Sequence, residues 1–107
     1  MENPYIVIFC TLPSETEAEK IATHLVDKRL AACCNIISGL RSIYRWQNRI
    51  ESDDEVLLII KSEEKRYREI EQCILEMHSY EVPEILAVPV SRGSQPYLNW
   101  ISDSISG

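Results

Sequence analysis

Apolar residues recur at two different spacings along this chain, and the order in which these spacings alternate predicts the fold. Two stretches show the spacing of an amphipathic helix, with apolar residues three and four positions apart. Ser14 and Glu17 form a capping-box pattern at the start of the first stretch, and Ser62 is predicted to cap the second. The two apolar stripes are Ala18, Ile21, Ala22, Leu25 and Val26, and then Tyr67, Ile70, Cys73, Ile74 and Met77.

Four segments between and around these helices are rich in β-branched and aromatic residues, which predicts strands. Ser38 and Gly39 interrupt the second strand and indicate a bulge, and Gln47 to Arg49 are predicted to form the turn of a long hairpin. Pro89 places the last strand at a sheet edge, and Pro96 starts a short terminal helix. The predicted strands are Tyr5 to Cys10, Ala32 to Trp46, Ile50 to Ile60 and Glu84 to Val90.

This order of elements, β-α-β-β-α-β with one added helix, is that of an α+β ferredoxin-like fold. It predicts a four-stranded antiparallel sheet, an extended hairpin between the second and third strands, and a short C-terminal helix. With 107 residues, the chain is expected to form one domain over residues 1–107.

Two predicted strands are apolar on both faces, and this is why we expect an oligomer. Ile6 to Phe9 and Val56 to Ile60 contain no polar residue. Two helices cover only one face of a four-stranded sheet. We therefore expect other copies of the chain to cover the second face, with the long hairpin reaching a neighbouring subunit.

Composition narrows the possible partners and the cellular location. The net charge is -6 and the Lys and Arg residues are dispersed, which argues against nucleic acid and anionic membranes as partners. Met1 to Pro4 lack basic residues and Ile6 to Phe9 is too short for a signal peptide or a membrane span, so we expect a cytoplasmic protein. The four cysteines lack zinc-motif spacing, and we expect free thiols, most of them buried.

The most unusual polar chemistry lies where the second helix ends. Met77 and His78 place a thioether beside an imidazole, and Pro83 stiffens the turn that follows. Cys10 and Met77 are each open to two interpretations, a soft metal ligand or a buried core residue. A Cys10 nucleophile with a His78 base would lack an orienting group and an oxyanion donor, so we expect no enzymatic activity. The three glycines form no phosphate-binding loop, and no organic cofactor is expected.

Short motifs run through nearly the whole chain, and their order and spacing together are specific. They are Cys10-Thr11, Leu30 to Ile36, Ser42 to Trp46, Lys61-Ser62, His78 to Ile85 and Tyr97 to Trp100. In these motifs the chain resembles the CutA family of divalent-cation tolerance proteins. The resemblance implies a homotrimer of ferredoxin-like subunits, an architecture related to the PII signal proteins, and a link to copper and other divalent metals.

The resemblance also implies a metal site, since metal binding in that family involves a cysteine at the position of Cys10 and two histidines at the positions of Met77 and His78. The first histidine is a methionine here. Thiolate and thioether ligands favour Cu(I), whereas two histidines would suit Cu(II) better. The expected ligand set is therefore Cys10, Met77 and His78, with copper as the expected metal.

An alternative function is that of a PII-like small-molecule sensor or signalling module, with a ligand cleft between subunits. Aromatic walls and a lysine would suit an anionic or planar ligand. The same aromatic residues are also compatible with simple packing of the subunit interface. The residues of this expected cleft are Tyr44, Trp46, Lys61, Tyr80, Glu84 and Trp100.

Overall fold

The helices and strands follow one another in the predicted order. The structure, a computed structural model, describes residues 4–107. The segment Met1 to Pro4, from which a cytoplasmic location was predicted, therefore lies mostly outside the described residues. A 3₁₀ turn at Glu64–Arg66 precedes the second long helix. The elements are β1 (Tyr5–Leu12), α1 (Glu15–Asp27), β2 (Cys33–Trp46), β3 (Arg49–Glu63), α2 (Tyr67–Met77), β4 (Ile85–Pro89) and α3 (Gln95–Ile105).

The four strands form one antiparallel sheet in the order β2-β3-β1-β4, which confirms the α+β ferredoxin-like fold. β1 pairs with β3 along its whole length, from Tyr5 opposite Glu63 to Leu12 opposite Val56. Pro89 lies in β4 at the sheet edge, as predicted, and pairs with Ile6. The two outer strands are therefore β2 and β4.

The two faces of the sheet are covered very differently. α1 and α2 pack on the face that carries Ile8, Cys10, Leu58 and Ile60, and these four side chains are fully buried. On the opposite face, α3 covers only the end near Tyr5, where Leu98, Ile101 and Ile105 pack with Ala32. The rest of that face is called the open face below and consists of Val7, Phe9, Ile37, Leu57, Ile59, Leu86 and Val88.

Within a single chain, Ile6 to Phe9 is fully buried on only one of its two apolar faces. Burial alternates along β1, with Ile6 and Ile8 buried and Val7 and Phe9 only half-buried. Leu86 on the open face is 58% exposed, because neither helix layer reaches it.

Several details of the sequence prediction need correction. β1 continues through Thr11 and Leu12, two residues beyond its predicted end at Cys10, because these residues pair with Leu57 and Val56 of β3. Ser62 does not cap a helix; it is fully buried at the end of β3, and its hydroxyl donates to the carbonyl oxygen of Leu30 at 2.6 Å.

The cysteine prediction is only partly right. All four cysteines are free thiols, but Cys10 alone is buried, and Cys33, Cys34 and Cys73 are half-buried. The two neighbouring cysteines of β2 point to opposite faces of the sheet, and only Cys34 packs against the helical core.

The hairpin formed by β2 and β3 projects from the sheet, and its outer part, residues 40–55, is called the arm below. It contributes to the elongated shape of the subunit, which measures 45 × 26 × 23 Å. A bulge lies between Ile37 and Leu40, as Ser38 and Gly39 predicted. The turn is tighter than expected, because Trp46 pairs with Arg49 and leaves only Gln47 and Asn48, both with positive φ (51° and 65°), in the loop.

The described residues contain no helix that combines the length and apolar character needed to cross a membrane.

Candidate functional site

The candidate site lies where β1 ends and the segment after α2 passes over it. The carbonyl oxygen of Thr11 accepts a hydrogen bond from Nε2 of His78 at 2.7 Å. The thiol of Cys10 also points to this oxygen, with Sγ at 3.8 Å. One subunit therefore brings Cys10 and His78 together, which the sequence alone left open.

His78 is held in one orientation and one tautomer. Its Nδ1 accepts a hydrogen bond from the backbone N–H of Tyr80 at 3.0 Å. Because Nδ1 is an acceptor and the Thr11 carbonyl can only accept, the ring proton is on Nε2. The side chain is 0% exposed, so the imidazole has no contact with bulk solvent.

Glu17 is the residue of this site that the sequence interpretation missed. Its backbone N–H donates to Oγ of Ser14 at 3.2 Å, which confirms half of the predicted capping box. Its carboxylate does not return to the helix start; it accepts the backbone N–H and the hydroxyl of Ser79 at 2.8 and 2.9 Å. Oε2 of Glu17 lies 3.6 Å from Nδ1 of His78.

Cys10 is an inert thiol in this arrangement. Burial, followed by the negative charges of Glu84, Glu17 and Glu55, raises its pKa from 9.0 to about 12. The neutral thiol is therefore the form present at neutral pH.

We expect native Cys10 to resist alkylation at pH 8. The raised pKa lowers the thiolate population about a thousandfold relative to an ordinary thiol, and full burial slows access further. The measurement is iodoacetamide labelling read by peptide mass spectrometry, with the same protein in urea as the control. Equal labelling rates in the two states would contradict the burial of Cys10.

Met77 is half-buried at the end of α2 and packs against the core cluster that contains Cys10. It also lines a groove of about 480 Å³ between the start of α1 and the end of α2, together with Glu17, Lys20 and Ser79. The three residues expected to bind metal therefore lie in one region of the subunit. Among residues 4–107, no three His, Cys, Asp or Glu side chains are grouped so as to hold a metal ion, so such a ligand set depends on the methionine.

The six residues of the expected cleft fall into separate groups within one subunit. The hydroxyl of Tyr44 donates to Asp53 on the arm, and the hydroxyl of Tyr80 donates to Glu55 at 2.7 Å. Burial and this bond to Glu55 raise the pKa of Tyr80.

The remaining members of that set lie apart from these tyrosines. The ammonium group of Lys61 lies 5.9 Å from the ring centre of Tyr97, which stacks on Trp100. Trp46 lies at the end of the arm, and Glu84 is exposed just before β4. A cleft formed by all six residues between subunits stays a prediction.

Comparison with known proteins gives a consistent result. The family model for the CutA1 divalent ion tolerance protein matches residues 6–104. The divalent-cation tolerance protein CutA of Thermus thermophilus is 43% identical over 98 residues, covering 92% of this chain and 95% of that protein. The crystal structure of CutA1 from Shewanella sp. SIB1 is 43% identical, with a TM-score of 0.93 and 97% of both chains covered.

Some relatives are longer than this chain. The chloroplastic CutA protein of Arabidopsis thaliana is 39% identical over 101 residues, which cover 94% of this chain but 56% of the plant protein. The chain therefore spans little more than half the length of that relative.

Proposed function

The chain belongs to the CutA1 divalent ion tolerance family, and from this premise we propose that it is a non-enzymatic homotrimeric protein that binds copper in a metal response. The family is named for tolerance of divalent cations and not for a reaction. The proposed ligands are Cys10, Met77 and His78.

The observation that carries the copper proposal is the convergence of Cys10 and His78 on the carbonyl oxygen of Thr11. The residue before His78 is Met77, which packs against the same cluster as Cys10. A thiolate, a thioether and an imidazole form a soft donor set, which suits Cu(I) better than harder divalent ions.

The carboxylates around Cys10 favour a bound cation, but they also make the thiol harder to deprotonate, which metal binding requires. Glu17, Glu55 and Glu84 act together on Cys10, and their negative charge favours a positive ion in this region. The thiol must lose its proton when a metal binds, so the metal competes with a proton that is held tightly. We therefore expect copper affinity to increase as the pH rises.

The open face supports the homotrimer, the assembly that the resemblance to CutA proteins implies. Val7, Phe9, Leu57 and Ile59 are half-buried there, and Leu86 and Val88 are exposed. Contiguous apolar patches of this kind mark interfaces in soluble proteins. The arm adds Trp46, a residue type that is enriched at the centre of interfaces.

We expect a Cys10→Ala change to weaken Cu(I) binding by at least tenfold, because it removes the one thiolate donor of the set. The measurement is competition with a colorimetric Cu(I) chelator on the reduced protein. Cys73→Ala is the matched control, since Cys73 is a half-buried thiol of α2. Equal Cu(I) affinities for wild type and Cys10→Ala would remove Cys10 from the site.

A Met77→His change is expected to shift the preference from Cu(I) toward Cu(II), because it replaces a soft thioether with a borderline nitrogen ligand. Parallel competition titrations with the two oxidation states measure the shift. An unchanged ratio of the two affinities would remove Met77 from the ligand set.

A further inference from the structure

We propose that the ammonium group of Lys61 in one subunit forms an ion pair with the carboxylate of Glu84 in the next subunit. The inference rests on the homotrimer proposed above and adds which parts of the surface meet when the ring of subunits closes. A closed ring of three identical chains needs two different surfaces on each subunit, because each contact joins one surface to another. Lys61 and Glu84 mark these two surfaces.

The first surface surrounds Lys61, at the end of the open face that α3 covers. Lys61 pairs with the open-face residue Val7, and its ammonium group lies 5.9 Å from the ring centre of Tyr97. Tyr97 stacks on Trp100 with 5.5 Å between the ring centres, and the two residues are 41% and 45% exposed. This surface therefore offers a neighbour two exposed aromatic rings beside one positive charge.

The positive charge of Lys61 is not neutralised within the subunit. The residue is half-buried, and among residues 4–107 no carboxylate lies within ion-pair distance of its ammonium group. A subunit that packs on this end of the open face buries the ammonium further. Burying an unpaired charge is costly, so the covering chain has to bring a carboxylate with it.

The second surface is the loop that precedes β4. Val82 is 81% exposed in this loop, and Glu84 is exposed two positions later. Pro83 between them fixes its own backbone and restricts Val82 to extended geometry, so both side chains are held on a stiff segment. The loop therefore presents an apolar group and a negative charge, which complement the aromatic rings and the ammonium group of the first surface.

Other carboxylates near the open face and the arm already have partners, whereas Glu84 forms no hydrogen bond or ion pair within the part of the chain that the structure describes. The carboxylates with partners are Asp53 with Tyr44, Asp54 with Arg41, Glu55 with Tyr80, and Glu63 with Ser102. Pairing Glu84 with a neighbour's lysine therefore breaks no existing bond.

Lys61 and Glu84 are too far apart to meet within one subunit. Val7 pairs with Lys61 on one side and with Val88 on the other, so Val88 marks the level of Lys61 on β4. Glu84 lies four positions before Val88, which is about 13 Å along an extended chain, and the two strand spacings between β3 and β4 add about 9 Å across the sheet. An ion pair between these side chains therefore joins two copies of the chain.

The test measures mass by light scattering over a range of protein concentrations, with circular dichroism as the check on folding. Lys61→Glu and Glu84→Lys are each expected to raise the concentration of half-association by about tenfold or more, because each brings like charges together. The double variant exchanges the two charges and is expected to associate more tightly than either single variant. Lys20→Glu, at an exposed position of α1 on the other side of the sheet, is the matched control and is expected to change association by less than about twofold.

A second measurement uses the wild-type protein. A water-soluble carbodiimide joins a carboxylate to an amine directly, without a spacer, and therefore reports contact between the two groups. We expect it to give a product of twice the chain mass in which mass spectrometry finds Glu84 linked to Lys61.

Two results overturn the ion pair in a protein that is trimeric. One is a double variant that associates more weakly than both single variants, as independent charges would make it, and the other is an equal effect of Lys20→Glu and Lys61→Glu. A trimer without the link between Glu84 and Lys61 also removes the contact and leaves the homotrimer intact. A wild type that is monomeric refutes the homotrimer itself, and this contact with it.

Discussion

A Leu86→Glu variant is expected to have about one third of the wild-type mass in light scattering, that is, to be a monomer of 12.4 kDa. Leu86 is 58% exposed in the single subunit and pairs with Phe9, so it lies on the open face. Burying such a side chain between subunits contributes about 1.5–3 kcal/mol in each copy. A glutamate there would place an unpaired carboxylate in an apolar interface, which costs more than the leucine contributed.

Leu75→Glu is the matched control for this change. Leu75 is 50% exposed, nearly as much as Leu86, but it lies on α2 on the other side of the sheet. The Leu75→Glu protein is expected to keep a mass three times that of the chain. A wild type that is already monomeric at micromolar concentration would refute the trimer, and a Leu86→Glu protein that remains trimeric would refute the open face as its interface.

Replacing Leu58 with alanine is expected to lower the free energy of unfolding by about 2–5 kcal/mol, because the deletion leaves a cavity that the neighbours cannot fill. Leu58 is fully buried in the central strand β3, where it pairs with Cys10 on one side and Ile36 on the other. Urea unfolding followed by circular dichroism, at a fixed protein concentration, measures the change.

The control for the cavity is Leu75→Ala, which shortens a half-exposed leucine by the same atoms. It is expected to change the free energy of unfolding by less than about 1 kcal/mol, as exposed positions usually do. If both changes cost the same, the core assigned to the helical face of the sheet would be wrong.

The fold was predictable because the spacing of apolar residues and the positions of proline and glycine indicate each helix and strand locally in the sequence. Apolar spacing identified both long helices, and the apolar runs identified β1 and the base of β3. Pro89 and Gly39 marked an edge and a bulge by their own backbone restrictions. The errors arose where contacts between distant residues decide the structure. Thr11 continues β1 because it pairs with Leu57 of β3, and the hydroxyl of Ser62 donates to a carbonyl oxygen 32 positions away in the chain.

The candidate site was predictable only in part, for the same reason. Cys10 and His78 were predicted as ligands from their side-chain chemistry and from a family resemblance, while their meeting at Thr11 depends on a contact between residues 67 positions apart. Glu17 gave a complete local explanation as a capping residue, so nothing in the sequence indicated that its carboxylate would reach Ser79, 62 positions away. When a local motif already explains a residue, as the capping box does for Glu17, the sequence gives no reason to expect a long-range contact as well.

The two edges of the sheet bear on whether copies of this chain could add to one another strand by strand. A free strand edge is a template for fibrils, and natural proteins protect it with short strands, proline or bulges. β4 has five residues and ends in Pro89, which has no N–H to donate, and β2 is broken by its bulge at Ile37 and Leu40. Neither edge offers a long regular ladder, so association through the open face, as proposed above, would not extend into an open-ended filament by strand addition.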